Sequence, residues 1–229
     1  MEAKISKIKA YRGLCVAPFT PFDGKGNINI NLIDEYVSLL QKQSVTGAFG
    51  TFMTALQKDV LWQATHAESL NVDAISVLPP FYFRSPSIDH LIRYVQEVAK
   101  AAPNTPIIYY HIPAFTFVNV RMTEFLPEAK RRVPALCGAK YSCSELSDLA
   151  GFLRADKADI KIFFGYEEDK LKHGIDTLCN HGFSVAALKA AANKVSGLNF
   201  GDTRMPVCPL SDDQAEKLAE EIRALDILI

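Results

Sequence analysis

Short apolar segments alternate with amphipathic helical segments along almost the whole chain, and this alternation constrains the fold most strongly. Six apolar runs have the length of buried strands. They cover residues 14–19, 46–50, 73–80, 106–113, 135–142 and 160–165. Strand and helix in strict alternation favour an α/β fold with a parallel sheet, because a helical crossover is what joins parallel strands.

The helices between these runs are predicted from apolar residues that recur with the helical period. They are expected near residues 33–40, 55–70, 88–98, 122–131, 145–154 and 211–225. Ser87 and Ser211 are good N-caps, because a serine hydroxyl accepts a hydrogen bond from a free backbone N–H of the first turn. Trp62 is predicted to pack its helix against the sheet.

The composition excludes several classes of function. The 229 residues carry a formal net charge of −1, without a basic patch interleaved with aromatic residues, so no nucleic-acid partner is expected. No apolar stretch reaches the ~20 residues of a membrane-spanning helix, so no membrane partner is expected either. Zinc-type Cys and His spacings, G-x-G-x-x-G and the Walker loop do not occur, and we predict no metal and no cofactor.

The cysteines and the first residues bear on the compartment. The five cysteines are widely spaced and odd in number. Residues 1–7 lack the hydrophobic segment of a signal peptide. Both features favour a cytoplasmic protein with free thiols.

Two reactive side chains lie near the predicted carboxyl ends of neighbouring apolar runs. Lys140 lies in the run at 135–142, and Tyr110 lies in the run at 106–113. In a (β/α) barrel such strand ends form the active site. A desolvated lysine amine can attack a ketone to give an imine, and a phenol can transfer a proton. The alternative is a lysine whose stem is buried while its ammonium reaches water.

Polar residues near these positions have two possible roles each. Ser142 lies on the same side of its strand as Lys140, and it could bind a carboxylate or cap the next helix. Glu167 and Glu168 could accept hydrogen bonds from a polyol, or form the acidic first turn of a helix. His111 is predicted to be structural, because it alternates away from Tyr110.

Taken together and in order, several motifs resemble those of the N-acetylneuraminate lyase family. The segment Y-Y-H-I-P-A at 109–114, followed by Thr116, is similar to the family's Y-[HN]-I-P-A-x-[ST] motif. The segment G-A-K-Y-S at 138–142 is similar to its Schiff-base strand, and F-G-Y-E-E at 164–168 resembles its sugar-binding turn. The related dihydrodipicolinate synthases usually carry an arginine where this chain has Phe115 and Thr116, which favours the sialic acid branch.

The resemblance implies a (β/α)8 TIM-barrel fold and a class I aldolase. Such an enzyme cleaves N-acetylneuraminate, a sialic acid, to N-acetylmannosamine and pyruvate. By resemblance, Lys140 is the Schiff-base lysine and Tyr110 is the proton-transferring tyrosine. The substrate contacts implied are Ser142, Gly165, Glu167 and Glu168. A cytoplasmic homotetramer is implied as well.

Two internal gaps separate the chain from the family pattern. The family's G-[ST]-T-G-E loop, which holds the pyruvate carboxylate, has no clear counterpart near residues 45–56. The helix and eighth strand expected after Glu168 are also missing. We therefore expect one truncated barrel domain over residues 1–229, with about six strands. The alternatives are an inactive truncated homologue or splice product, and a pyruvate aldolase of different specificity.

Overall fold

A computed structural model of the chain describes residues 1–49, 57–155, 159–165, 177–178, 180–182 and 185–224. The chain divides into two compact units. Unit 1 comprises Met1–Arg12 and Phe49–Tyr166, and unit 2 comprises Gly13–Ala48 and Glu167–Ile229. The single-domain organisation over residues 1–229 stays a prediction.

The described elements follow the predicted alternation. The strands are β1 (Leu14–Val16), β2 (Val45–Ala48), β3 (Ile75–Val77), β4 (Ile107–His111), β5 (Leu136–Tyr141) and β6 (Lys161–Phe164). The helices are α1 (Glu2–Ala10), α2 (Ile33–Lys42), α3 (Gln57–Ser69), α4 (Ile88–Ala101), α5 (Pro113–Thr116), α6 (Met122–Arg132), α7 (Leu146–Ala155), α8 (Val185–Ser196) and α9 (Asp212–Ala224), with a short 3-10 turn at Ile30–Leu32. Each strand falls within a predicted apolar run or begins one residue before it.

Unit 1 is built on a parallel four-stranded sheet with the order β3-β4-β5-β6. Strand neighbours in space are also neighbours along the chain, as expected for strands joined by helical crossovers. The register pairs Tyr110 with Lys140, and Lys140 with Phe163. These three residues therefore form one row across the sheet.

The core of unit 1 lies between this sheet and its helices. Helix α4 buries Leu91, Ile92, Val95 and Val98 completely. Ser87 caps this helix as predicted, because its side chain accepts a hydrogen bond from the His90 N–H. Each of these buried aliphatic side chains contributes about 1.5–3 kcal/mol through removal from water.

Unit 2 contains the parallel pair β1 and β2 and three longer helices within its described residues. Tyr36 of α2 packs edge-on against Phe200, with ring centroids 4.5 Å apart. Helices α8 and α9 pack through a small cluster that includes Ala187, Leu218 and Ile222. Ser211 caps α9 as predicted, since its hydroxyl accepts from the Gln214 N–H.

The prediction for Trp62 is wrong. Its side chain is 67% exposed and stacks on His66 with ring centroids 5.6 Å apart. Helix α3 instead buries Ala64 and packs Val60 and Leu61 against the core of unit 1. The helical period of apolar residues predicts which face of a helix is buried. It does not predict whether a large residue at the edge of that face is buried or exposed.

Within the described ranges, no helix is both long and apolar enough to cross a membrane. The same residues contain no group of three His, Cys, Asp or Glu side chains placed to hold a metal ion. Four of the five cysteines are free thiols, namely Cys15, Cys137, Cys143 and Cys208.

Candidate functional site

Lys140 and Tyr110 lie side by side in unit 1. They are register partners on β5 and β4, so their side chains leave the sheet on the same face. The Lys140 Nζ lies 4.1 Å from the centroid of the Tyr110 ring. Both side chains are half-buried. A single ligand can therefore contact the amine and the phenol together.

The Lys140 amine has no hydrogen bond or ion pair with any residue that the structure describes. Two other lysines of unit 1 illustrate the difference: Lys4 donates to the Val72 carbonyl at 2.7 Å, and Lys130 donates to the Leu136 carbonyl at 2.7 Å. An ammonium group with three donors normally finds such acceptors when it leaves water. The Lys140 amine is thus available to react with a ligand.

Two further aromatic rings lie on the other flank of β5. The Phe49 ring centroid is 5.2 Å from Lys140 Nζ. Phe49 packs edge-on against Phe163 of β6, with centroids 5.3 Å apart and ring planes at 83°. Ring faces carry negative charge density that attracts cations. The amine is thus in contact with π faces contributed from both sides of its strand.

Gly165 has little free space on its side-chain side. A Cβ added there would lie 2.8 Å from Ser142 Oγ and 3.5 Å from Lys140 Cε. Its backbone N–H donates to the Tyr141 carbonyl at 2.8 Å, which extends the pairing of β6 with β5 by one residue. The structure therefore brings Ser142, Gly165 and Lys140 together, and leaves the half-buried Ser142 hydroxyl close to the stem of the lysine.

Glu167 and Glu168 lie outside the described residues. Their predicted contact with a polyol substrate stays a prediction.

The opposite face of the sheet is structural. His111 is 2% exposed, and its ring lies 5.1 Å from the ring of Tyr141. Burial lowers the pKa of His111 to about 4, with a smaller opposing effect from Asp148. Tyr109 is fully buried, and burial raises the pKa of its phenol. The prediction that His111 is structural is confirmed by its burial in this core.

Phe49 is the residue of this site that the sequence analysis missed. It directly follows β2, a short strand with little apolar patterning, and no motif marked it. Lone phenylalanines most often belong to a core. The available signal was its position near the carboxyl end of the strand predicted at residues 46–50, where active-site residues of a barrel gather.

Comparison with known proteins places these residues in a family context. The chain is 26% identical to the N-acetylneuraminate lyase of Danio rerio, over 94% of this chain and 97% of that protein. The solved structure of the N-acetylneuraminate lyase (sialic acid aldolase) of Aliivibrio salmonicida is 26% identical, with a TM-score of 0.85 over 96% of this chain and 98% of that one.

The N-acetylneuraminate lyase of Proteus mirabilis has the same fold, with a TM-score of 0.85 at 24% identity over 95% of this chain and 99% of that chain. The fold class predicted from the sequence, an incomplete α/β barrel of the TIM type, is confirmed by these structures. The alignment with the Danio rerio protein has 297 positions, whereas 94% of this chain is only about 215 residues. About 80 positions of that relative have no counterpart here, so the chain is shortened internally.

The family comparison covers the strands that carry the site. The model of the family described as "Dihydrodipicolinate synthetase family" matches residues 46–177. This range is more than half of the chain and includes Tyr110, Lys140 and Gly165. The chain belongs to the dihydrodipicolinate synthetase family.

Proposed function

We propose that this chain is a class I aldolase that cleaves N-acetylneuraminate to N-acetylmannosamine and pyruvate. The observation that carries the proposal is the Lys140 amine, which has no polar partner among the described residues and lies 4.1 Å from the Tyr110 ring. The names of the relatives with which the chain aligns over nearly its full length support the choice of substrate.

Lys140 acts as the nucleophile in this mechanism. Its neutral amine adds to the keto carbon of the open-chain sugar to give a carbinolamine, which loses water and becomes an iminium. Carbon substituents on the nitrogen leave the iminium with one N–H donor, whereas the free ammonium has three. The described residues place no hydrogen-bond acceptor on Nζ, and such surroundings favour the iminium over the ammonium.

Tyr110 moves the proton during carbon–carbon cleavage. The phenol gives its proton to the hydroxyl that leaves the carbinolamine, and its oxygen then accepts the proton of the hydroxyl on the carbon that becomes the aldehyde, as the adjacent bond breaks. The bonding electrons flow into the iminium and form an enamine. Protonation of the enamine and hydrolysis of the imine then release pyruvate and restore the lysine.

The remaining predicted contacts orient the substrate. The Ser142 hydroxyl, next to Gly165 and the stem of Lys140, donates a hydrogen bond to the carboxylate of the keto acid. Glu167 and Glu168 accept hydrogen bonds from the hydroxyl groups of the sugar. Such contacts hold the keto carbon within reach of the amine, which lowers the entropic part of the barrier.

The direct test is to trap the imine. The wild-type protein is incubated with pyruvate and borohydride, and a reduced pyruvate adduct on Lys140 is expected by peptide mass spectrometry. Lys140→Arg should abolish the adduct, whereas Lys100→Arg, a change at an exposed lysine paired with Glu97, should leave it intact. Intact, folded wild-type protein without an adduct would exclude the imine mechanism.

Because the chain is shortened internally relative to the Danio rerio protein, the second candidate is a homologue without catalytic activity. Incubation with N-acetylneuraminate followed by assay of released pyruvate separates the possibilities. Pyruvate release supports the lyase. A pyruvate adduct without release from N-acetylneuraminate identifies an aldolase with another aldehyde partner, and absence of both identifies the inactive homologue.

We further propose that the chain forms a homotetramer in the cytoplasm, in line with the family resemblance. Large aromatic side chains at the surface of unit 1 support self-association: Tyr82 is 72% exposed and Phe83 is 80% exposed. Sedimentation equilibrium of the purified protein tests the assembly, and a monomer at micromolar concentration would contradict it.

A further inference from the structure

Helix α1 connects the two outer strands of the sheet in unit 1 at their N-terminal ends. Lys7 pairs with Asp73, just before β3, at 2.7 Å, and Lys9 pairs with Asp159, just before β6. Two residues apart on a helix, these lysines point to nearly opposite sides, because each residue turns by ~100°. Since β3 and β6 are the edges of this sheet, α1 lies between them at its N-terminal end and also contacts β5.

The residue that follows α1 reaches the row of residues that contains Lys140. The ring of Tyr11 lies 5.9 Å from the ring of Phe163 between centroids, with the planes tilted by 43°. Phe163 is the register partner of Lys140 and leaves the sheet on the same face. One aromatic contact therefore joins the N-terminal segment to the neighbour of the reacting lysine.

The Phe163 ring extends over Gly138, which lies two residues before Lys140 on the same face of β5. A Cβ at Gly138 would lie 3.3 Å from Phe163 Cε2. The ring thus occupies space that a larger residue at this position would fill. Tyr11 contacts the same ring, and the two rings together lie on the N-terminal side of the lysine stem.

This arrangement affects the geometry of the amine. If Tyr11 were small, Phe163 would gain room to adopt other rotamers, and space would open along the stem of Lys140. A lysine has a flexible four-carbon stem, so it would then occupy more conformations. Each conformation that carries Nζ away from the keto carbon lowers the rate of imine formation, because attack requires the reacting atoms to be close and aligned.

We propose that Tyr11 is a positioning residue for imine formation at Lys140. Its ring, brought to the sheet by α1, favours the orientation in which Phe163 covers Gly138. The lysine stem is thereby directed toward the carboxyl end of its strand, where Tyr110 lies. This inference rests on the proposed imine at Lys140. It sets no limit on the size of the substrate, because a barrel enzyme binds its substrate at the carboxyl ends of the strands.

Rapid-quench trapping measures this role. Protein and pyruvate are mixed, the imine is reduced with borohydride after set times, and the adduct on Lys140 is quantified by mass spectrometry at a series of pyruvate concentrations. Tyr11→Ala is expected to lower the maximal rate of adduct formation about tenfold, since a small misplacement of reacting groups can cost up to ~10²-fold. The pyruvate concentration at half of the maximal rate should stay the same, because no substrate contact is removed.

Three further variants locate the effect. Tyr11→Phe keeps the ring and should restore the wild-type rate. Lys7→Ala combined with Lys9→Ala loosens α1 while Tyr11 remains, and should lower the maximal rate by a smaller factor. Trp62→Ala, at an exposed ring of the same unit, should leave the rate unchanged. Only protein that elutes as a folded species is assayed, and the double lysine variant supplies the reading if Tyr11→Ala does not fold.

The outcomes separate this inference from the proposed function. Wild-type protein without an adduct overturns both. A wild-type adduct with an unchanged maximal rate in Tyr11→Ala overturns only the role of Tyr11, and so does a loss that Tyr11→Phe does not restore. A rise in the half-saturating pyruvate concentration at an unchanged maximal rate also overturns it, because Tyr11 would then act on binding. An equal loss in Trp62→Ala would show that the effect is not local to the lysine.

Discussion

At the residue scale, Gly165 shows how little space surrounds the candidate site. An alanine there would place its Cβ 2.8 Å from Ser142 Oγ, so the serine would have to rotate away. We expect Gly165→Ala to lower kcat/KM about tenfold, which corresponds to ~1.4 kcal/mol of transition-state stabilisation. The measurement is the rate of pyruvate release from N-acetylneuraminate.

A double variant identifies the cause of that loss. If the alanine acts by displacing the serine, Ser142→Ala in the Gly165→Ala background should cost little more than either change alone. Additive losses, or full activity in Gly165→Ala, would show that the contact between these two residues is unimportant for catalysis.

The two adjacent tyrosines of β4 allow a matched comparison. Tyr110→Phe removes the proposed proton carrier and should lower kcat by ~10²- to 10⁴-fold, while the pyruvate adduct on Lys140 still forms. Tyr109→Phe should leave both kcat and the formation of the pyruvate adduct unchanged, because the buried Tyr109 hydroxyl has no hydrogen-bond partner among the described residues. Equal effects of the two changes would remove the catalytic role of Tyr110.

At the element scale, helix α6 is capped by a residue of another helix. Its own N-cap residue, Arg121, makes no side-chain capping bond. Asp148 of α7 instead accepts hydrogen bonds from the Met122 N–H at 2.6 Å, from the Thr123 N–H at 3.3 Å and from the Thr123 hydroxyl at 2.8 Å. The Asp148 carboxylate thus pairs with backbone N–H groups of the first turn that have no partner within the helix. Its negative charge also interacts favourably with the positive end of the helix dipole.

Asp148→Ala should therefore destabilise the protein by ~2 kcal/mol, since the change removes a cap and leaves buried donors without an acceptor. Urea unfolding at neutral pH measures this. Asp148→Asn keeps an acceptor oxygen and should lose less. Asp73→Ala, which removes an exposed ion pair with Lys7, should cost under ~1 kcal/mol, and a larger loss there would contradict this ranking.

The strands were predictable because each short apolar run ends in residues that break a strand. The run that contains β3 ends in Pro79 and Pro80, and proline rarely continues a central strand. Helix α1 was not predicted: its segment has little apolar patterning, and its position depends on distant partners such as Val72 and Asp73. Tertiary contacts of this kind leave no local signal in the sequence.

At the scale of the whole molecule, a buried histidine links stability to pH. His111 has a pKa of about 4 in the folded chain, against an ordinary value of 6.5. The unfolded chain therefore binds a proton that the folded chain excludes, and the free energy of unfolding should fall as the pH drops from about 6.5 to about 4. A pKa shift of this size corresponds to a loss of ~3 kcal/mol in the free energy of unfolding.

Chemical denaturation at a series of pH values between 7 and 4 measures this loss. His111→Leu should flatten the profile in that range, and His90→Gln, at an exposed histidine, should not. Asp148 is the acidic group whose charge acts on His111, so the profile should also be recorded in Asp148→Asn. An unchanged slope in His111→Leu would show that other groups cause the acid sensitivity.

Part of the candidate site could be predicted from the sequence, and part could not. Lys140 and Tyr110 were identified because the residues around them match ordered motifs, and parallel strands bring their carboxyl ends to one edge. Their shared register could not be derived, because it depends on how β4 and β5 align, with an irregularity between Ile107 and Ile108. The contact of Phe49 with the amine joins residues far apart in the sequence, and no motif or spacing rule marks it.

The contacts of helix α1 can form only in a certain order while the chain is being synthesised. Its lysines bind the Val72 carbonyl, Asp73 and Asp159, so this helix is synthesised some 150 residues before its last partner. At a synthesis rate of ~5–20 residues per second, this delay is on the order of ten seconds. A nine-residue helix is only marginally stable alone, so this segment remains loosely structured until Asp159 has been made, and chaperones can bind it during that interval.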